Sequence, residues 1–341
     1  MSARLGEHAA DVKYEGEFFI NRRGLKLFTC KWRPRKHETK GLVFLLHGYA
    51  MECSISMKGT GIRLAREGME VHGIDYEGHG KSSGLQGYIS NFDDVVDDCS
   101  DFFTSITEKE ENRNKLRYLL GEAMGGAVAL LVHKRQPTYW DGAILVSPML
   151  KVTDEMKPNA FVVGVLNKLS KIMPTLKIVP TKDIIDVGIK DPKKREEVRT
   201  NSCCYKGKPR LKTGCELLKV SMEMEKSLNE VSLPFLIVHG EEDHVTDPSV
   251  SKLLYESAPS SDKTLKLYPN MWHYLTSGES PENIELVFSD IISWLNKQIE
   301  RRNSQVQIEL GHENGSQMTA SQSQGQGMPP QSPTAHWLVT N

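Results

Sequence analysis

The run Tyr118-Leu-Leu-Gly-Glu-Ala-Met-Gly-Gly-Ala127 constrains this chain more than any other. An apolar strand breaks at Gly121 and a helix of small residues starts at Met124. This is the strand–turn–helix pattern in which two glycines make room for one residue on a sharp, strained turn. In the pattern G-x-S-x-G that residue is a serine with its hydroxyl held in the open. Here Gly121 and Gly125 keep the spacing, and the middle position is Ala123. A tip without a hydroxyl keeps the scaffold and removes the chemistry the scaffold usually carries.

The sequence around this turn reads as an α/β chain. A hairpin is expected over Glu17 to Arg33, with Glu17-Phe-Phe-Ile and Leu25-Lys-Leu-Phe-Thr-Cys-Lys-Trp joined through Asn21-Arg-Arg-Gly24. Gly41-Leu-Val-Phe-Leu-Leu46 is an unbroken apolar run, as in a strand buried on both faces. Further strands are expected at Glu70–Asp75, Leu116–Leu120, Gly142–Ser147, Pro234–His239 and Thr264–Tyr268. Helices alternate with them near Gly59–Glu67, Asn91–Lys109, Met124–Gln136 and Pro281–Arg301. Such alternation predicts a mainly parallel sheet covered on both faces, with its binding edge at the carboxyl ends of the strands.

Between about Met149 and Leu233 the alternation stops. Phe161, Val162, Val165, Leu166, Leu169, Ile172, Met173 and Leu176 recur at helical spacing, with Asn167, Lys168 and Lys171 on the other side. An insertion that follows a strand's carboxyl end lies over the binding edge, so residues 151–230 read as a helical cap. They hold 17 Lys and Arg against 11 Asp and Glu. The apolar stripe has two readings: packing against the sheet domain, or an acyl-chain tunnel with a basic amphipathic surface that rests on membranes. The resulting division is an N-terminal extension over 1–16, a core over 17–150 and 231–302, the cap over 151–230, and a tail over 303–341. The tail is rich in Ser, Gln, Gly and Pro and is expected to lack structure.

Composition narrows the partners. With 38% hydrophobic and 26% charged residues and a net charge of −1, nothing points to nucleic acid. No apolar run is long enough to span a bilayer, and the first residues do not form a secretory signal, so the expected compartment is the cytoplasm, with peripheral membrane contact through the cap. The six cysteines, two of them the neighbours Cys203 and Cys204, then read as reduced packing or surface residues.

The residues that serve such a turn follow it in chain order. After Phe235-Leu-Ile-Val-His comes Gly240-Glu-Glu-Asp243, and after Leu265-Lys-Leu-Tyr comes Pro269-Asn-Met-Trp-His273. A carboxylate and a histidine on loops after successive strands are the orienting acid and general base of a triad. Asp247, before Pro248, reads instead as a helix N-cap. An oxyanion site needs two backbone N–H groups, one from Met124 and one from Tyr49 in the loop His47-Gly48-Tyr49-Ala50. His47, His79 and Asp75 read as loop-holding residues.

With these motifs the chain resembles the plant monoacylglycerol lipase-like branch of the α/β-hydrolases, which includes caffeoylshikimate esterases and lysophospholipases. The resemblance rests on His47-Gly-Tyr-Ala-Met-Glu-Cys53, Gly73-Ile-Asp-Tyr-Glu-Gly-His-Gly-Lys-Ser82, Gly121-Glu-Ala-Met-Gly-Gly126, His239-Gly-Glu-Glu-Asp243 and Met271-Trp-His273, and runs from about Glu17 to Glu300. It implies hydrolysis of a carboxylic ester through an acyl-enzyme, a small-molecule ester or lipid as substrate, and neither cofactor nor metal. By position, Asp243 is the acid, His273 the base, and Tyr49 and Met124 the oxyanion donors. The nucleophile's place falls on Ala123. Two further departures lie nearby: Ala50 where the H-G-Y-G loop has glycine, and Tyr274 where glycine follows the histidine. Three changes together point to natural loss or remodelling, since a laboratory trap needs only one; an engineered variant is the alternative. An alanine at this position should cost about 10⁶ in turnover. Ser147, Cys53 and Ser54 lie on other strand ends or loops and lack the turn that would present an oxygen or sulfur to His273. The expectation is an ester hydrolase by descent that is inactive or severely impaired as written, with a silent ligand- or partner-binding protein as the alternative.

Overall fold

The computed structural model describes residues 11–36, 38–151, 160–179 and 183–323. The chain divides into two units, Met1–Trp294 and Leu295–Asn341, and the sheet and its helices belong to the first.

That unit is built on eight strands: β1 (Val12–Ile20), β2 (Lys26–Pro34), β3 (Gly41–Leu46), β4 (Met69–Ile74), β5 (Leu116–Glu122), β6 (Gly142–Val146), β7 (Phe235–Gly240) and β8 (Lys263–Tyr268). Their order is β1-β2-β4-β3-β5-β6-β7-β8. β2 pairs antiparallel with both β1 and β4, and every other pairing is parallel, so β2 alone runs against the rest. Every residue of β3, β6 and β7 is buried, as unbroken apolar runs require of strands covered on both faces. The outer hairpin starts at Val12, ahead of the expected Glu17. Its added turn of pairing sets Tyr14 against Trp32 at 5.3 Å, next to the Phe18–Phe28 pair at 5.5 Å, and such cross-strand aromatic contacts extend a ladder. Residues 1–10 of the expected extension lie outside the described residues.

The core helices are α1 (Lys58–Arg66), α2 (Phe92–Thr107) and α3 (Met124–Arg135). Asn91 caps α2 by accepting from the Asp93 N–H, and Phe92, Val95, Val96, Cys99, Phe102, Phe103 and Ile106 all bury the face expected from their spacing. Between β6 and β7 come the insertion helices α4 (Ala160–Ile172), α5 (Ile184–Gly188), α6 (Pro192–Thr200) and α7 (Leu211–Ser227). They are tied to loops at the carboxyl edge of the sheet: Tyr205 N–H donates to Ala50 O at 2.9 Å, Ile89 N–H to Thr213 Oγ1 at 2.9 Å and Phe92 N–H to Glu216 Oε2 at 3.0 Å.

The apolar stripe of α4 does not pack as a whole against the sheet domain. Val162, Val165, Ile172 and Met173 are exposed, Ile172 at 79%, while Leu166, Leu169 and Leu176 are half-buried. The side chain of Phe161 and residues 152–159 lie outside the described residues. α8 (Pro248–Ser257) starts as expected, with Asp247 accepting from the Ser249 N–H at 2.8 Å and Pro248 in the first turn. The last helix, α9, runs Pro281–Ser323 instead of ending near Arg301. Gln305-Val-Gln-Ile-Glu-Leu310 contains no breaker, and adding residues to an existing helix needs no new nucleus. The segment from 303, expected to lack structure, is thus helical to Ser323, and residues 324–341 lie outside the described residues. Among the described residues no helix is long and apolar enough to cross a membrane. All six cysteines are unpaired.

Candidate active site

Two glycines set the turn between β5 and α3. A Cβ on Gly125 would stand 1.9 Å from Leu46 O at the end of β3, and one on Gly121 would stand 2.3 Å from Gly125 O. Backbone cannot yield at such distances, so only glycine lets the helix start this close to two strand ends. The residue between them, Ala123, sits at φ 49°, ψ −115°. That region costs a side chain of order 1–3 kcal/mol and is held only where the surroundings leave no choice. The elbow is therefore present with its strain, and it presents a methyl group. Across from it, a Cβ on Gly48 would lie 3.4 Å from the Ala123 Cβ, so the loop after β3 presses directly on the turn.

Asp243 and His273 meet as expected. His273 Nδ1–H donates to Asp243 Oδ2 at 2.7 Å, with both side chains almost fully buried. Asp243 Oδ2 also receives Thr246 Oγ1 at 2.8 Å and His239 Nε2 at 3.1 Å, while Oδ1 receives the N–H groups of Val245 at 2.7 Å and Thr246 at 3.0 Å. Burial by itself would raise this carboxyl's pKa. The His273 and His239 rings outweigh it and hold the group well below the usual carboxylate range. A permanently ionised Asp243 fixes His273 with its proton on Nδ1, which leaves Nε2 with a lone pair and no hydrogen-bond partner among the described residues. His273, Ala123, Gly48 and Glu122 line one small cavity of about 20 Å³, room for about one water.

The two residues expected to offer oxyanion N–H groups stand at this turn. Met124 opens α3, where no carbonyl lies one turn back to bond its N–H. Tyr49 lies in the β3 loop, its hydroxyl donating to Gly87 O at 2.9 Å, and its neighbour Ala50 is held at φ 67°. The loop-holding residues do what was expected of them. His47 bonds Gly48 O through Nδ1 at 2.8 Å and accepts the Tyr76 N–H through Nε2 at 3.1 Å. Asp75 accepts the N–H groups of Cys53 and Lys81, and burial raises its pKa to about 7. His79 bonds Glu77 O through Nδ1 at 3.0 Å, and burial lowers its pKa to about 4.

None of Ser147, Ser54 and Cys53 stands on the elbow. Ser147, held at φ 43° at the end of β6, donates its hydroxyl to His273 O at 3.0 Å and so positions the histidine's backbone. Ser54 Oγ donates to Glu52, and the Cys53 thiol is buried among Leu45 O, Met57 and Ile74 O, with burial pushing its pKa well up.

Several residues were not singled out from the sequence. His239 and Thr246 complete the Asp243 hub, and Ser251 Oγ at 2.7 Å from His239 Nδ1 orients that second ring. Only the buried position of His239 at a strand end hints at this. Glu122, in the turn itself, accepts from Thr276 Oγ1 at 2.8 Å, and its pKa is raised chiefly by burial. Glu52 is fully buried and takes five donors: Ser54 Oγ, Ile55 N–H, Ser56 N–H, Ser56 Oγ and, from the cap, Asn201 Nδ2.

Comparison with known proteins gives the family and the fold. The family described as serine aminopeptidase, S33 (Hydrolase_4) matches residues 37–280. The chain is 33% identical over 280 residues to caffeoylshikimate esterase of Arabidopsis thaliana, covering 82% of this chain and 84% of that one. It is 31% identical over 280 residues to monoglyceride lipase of Homo sapiens, covering 82% and 89%. Among solved structures, a soluble variant of monoglyceride lipase from Saccharomyces cerevisiae in complex with a substrate analog superposes with a TM-score of 0.73 at 22% identity, covering 84% of this chain and 94% of that one.

Two outcomes test the site. Ala123→Gly relieves the strained turn and, after the extra chain entropy of glycine, should raise stability by about 1 kcal/mol in urea denaturation. A destabilised variant would mean the turn is not strained. His79 has its folded pKa below the unfolded value of 6.5, so the unfolded chain binds more protons between about 4 and 6.5 and stability falls as pH drops through that window. Asp75, with its pKa raised, acts in the opposite direction. The difference between His79→Phe and the parent isolates the histidine: the variant should lose on the order of 1–3 kcal/mol less than the parent between pH 7 and pH 4.5.

Proposed function

Because the chain belongs to the serine aminopeptidase S33 (Hydrolase_4) family and has the fold of α/β-hydrolases, we propose that it is an ester hydrolase of monoacylglycerol lipase type that lacks its nucleophile. Its relatives bear the names of ester hydrolases, caffeoylshikimate esterase and monoglyceride lipase. On this reading it binds an acylglycerol, lysolipid or related ester and turns it over very slowly or not at all.

One observation carries the reading: the elbow keeps its strained backbone around a methyl group, while His273 keeps its carboxylate and an unpartnered Nε2. In Ala123→Ser the new Oγ would attack the ester carbonyl, His273 Nε2 would take its proton, and the oxyanion would meet the N–H groups of Met124 and Tyr49. Asp243 would stabilise the imidazolium. As written, the remaining route is water attack with His273 as base, which forgoes the acyl-enzyme and is slow.

A specific observation favours a second reading, a silent ligand- or partner-binding protein. The Tyr274 ring stands edge-on to His273 with centroids 5.1 Å apart, at the position where a glycine is usual in the resembled branch. Membrane contact is supported by α4 and the residue after it, where Val162, Val165, Ile172 and Met173 are exposed and Lys168 and Lys171, also exposed, lie on the other side of the stripe.

A paired assay on 1-monooleoylglycerol and p-nitrophenyl butyrate tests the hydrolase reading. Ala123→Ser should exceed the parent in kcat/KM by at least a hundredfold, and a parent within about tenfold of the variant overturns it. A variant that stays inert, in a protein whose melting temperature still rises with added monoacylglycerol, supports the silent binder. For the membrane reading, the protein should co-sediment with phosphatidylcholine–phosphatidylserine vesicles. Ile172→Asp with Met173→Asp should cut the bound fraction at least threefold, and an unchanged fraction rules this face out.

A further inference from the structure

Outside the small cavity at His273 lies a second, wider one of about 260 Å³, between the β3 loop and the cap. Met51, Ile184, Val198 and Tyr205 give it apolar and aromatic walls, Arg199 lines it paired with Asp183 and Asp186, and Lys206 and Lys208 add positive charge. Two residues border both cavities, Met51 and Tyr274. All three departures from the resembled pattern thus fall on this pair of spaces: Ala123 in the inner one, Ala50 in the outer one, and Tyr274 on the wall between them.

The backbone holds Tyr274 in this position. Its N–H donates to Gly188 O at 3.2 Å, and its carbonyl accepts from Gly278 N–H at 2.7 Å. Gly278 O in turn accepts from the N–H groups of Lys190 and Asp191 at 3.0 and 2.9 Å, so the cap is laced to the histidine loop on both sides of the ring. The ring also needs space that only glycine leaves. A Cβ on Gly188 would stand 2.9 Å from the Tyr274 ring, and one on Gly278 would stand 2.6 Å from the Tyr274 Cβ. On its inner face the ring packs edge-on to His273.

We propose that Tyr274 is a partition: it closes the His273–Ala123 chamber off from the cap cavity, and the cap cavity is a binding site in its own right for a small amphiphile with one apolar arm. The inference rests on the proposed function for the ligand's class and for the identity of the inner chamber. A ligand in the outer cavity lies against the outer face of the ring and does not touch His273. The chain has therefore changed twice in the same direction, by losing the attacking oxygen and by walling off the base.

Two measurements test this. In the Ala123→Ser protein, Tyr274→Gly should raise kcat/KM for p-nitrophenyl acetate at least tenfold, whereas Tyr274→Phe, which keeps the ring, should stay within threefold. In the chain as written, calorimetric titration should show 1-decanoylglycerol binding one to one, and Tyr274→Gly should tighten Kd at least fivefold by letting the acyl arm extend inward. Tyr274→Ala serves in place of Tyr274→Gly if the glycine variant does not fold, with melting temperature as the check. Unchanged kcat/KM with unchanged Kd in a folded, active variant overturns the partition and leaves the hydrolase reading intact. No hydrolysis in any variant, with the expected change in Kd, overturns the hydrolase reading and supports the partition. Absence of binding until Tyr274 is removed shows that the outer cavity is not a site and overturns the proposal.

Discussion

The approach of three backbone segments at one point governs the rest of this molecule. The end of β3, the end of β5 and the first turn of α3 converge within contact distance at Gly121 and Gly125, where a Cβ has no place to go. That closeness forces the residue between the glycines into positive φ and lifts it out of the strand line. It also brings the β3 loop onto Ala123, and the first N–H of α3 has no carbonyl one turn back to bond it. An elbow of this kind is a property of packed backbone. It does not depend on the side chain at its tip, and Ala123 holds the strained backbone with a methyl group alone.

A second constraint is electrostatic. Asp243 is buried, and a buried carboxylate is tolerated only when its oxygens are saturated with donors. Here two histidine rings, a threonine hydroxyl and two backbone N–H groups do this, and Ser251 fixes one of the rings. The hub is part of the fold at this sheet edge as much as it is part of a reaction. None of these bonds involves Ala123, whereas removing Asp243 would leave two buried rings and several donors unpaired.

Much of this was legible in the sequence, and for identifiable reasons. Unbroken apolar runs gave β3, β6 and β7, glycine spacing gave the elbow, and chain order gave Asp243 and His273, because each signal is local. The start of the hairpin was misplaced because the Tyr14–Trp32 pairing depends on a partner far along the ladder. The α4 stripe was ambiguous because periodicity shows that a helix has an apolar face and not what covers it; most of that face is open. The extent of α9 was missed because composition was weighed above the breaker-free run Gln305–Leu310, and the helix goes on past Gly311 and Gly315, for which no local signal speaks. His239, Thr246 and Glu52 act through contacts between loops, which no spacing rule reports.

Glu52 anchors the loop after β3 and also holds the cap through Asn201. Four of its five donors come from residues 54–56 beside it, and a single one comes from the insertion. Were the cap to swing outward at Asn201, the anion would stay solvated by its own loop and no bare charge would be stranded. The latch is thus asymmetric: at Glu52 the upper layer gives up one hydrogen bond while the floor keeps four, and the cap is otherwise held by its separate ties to Ala50, Ile89, Phe92, Tyr274 and Gly278.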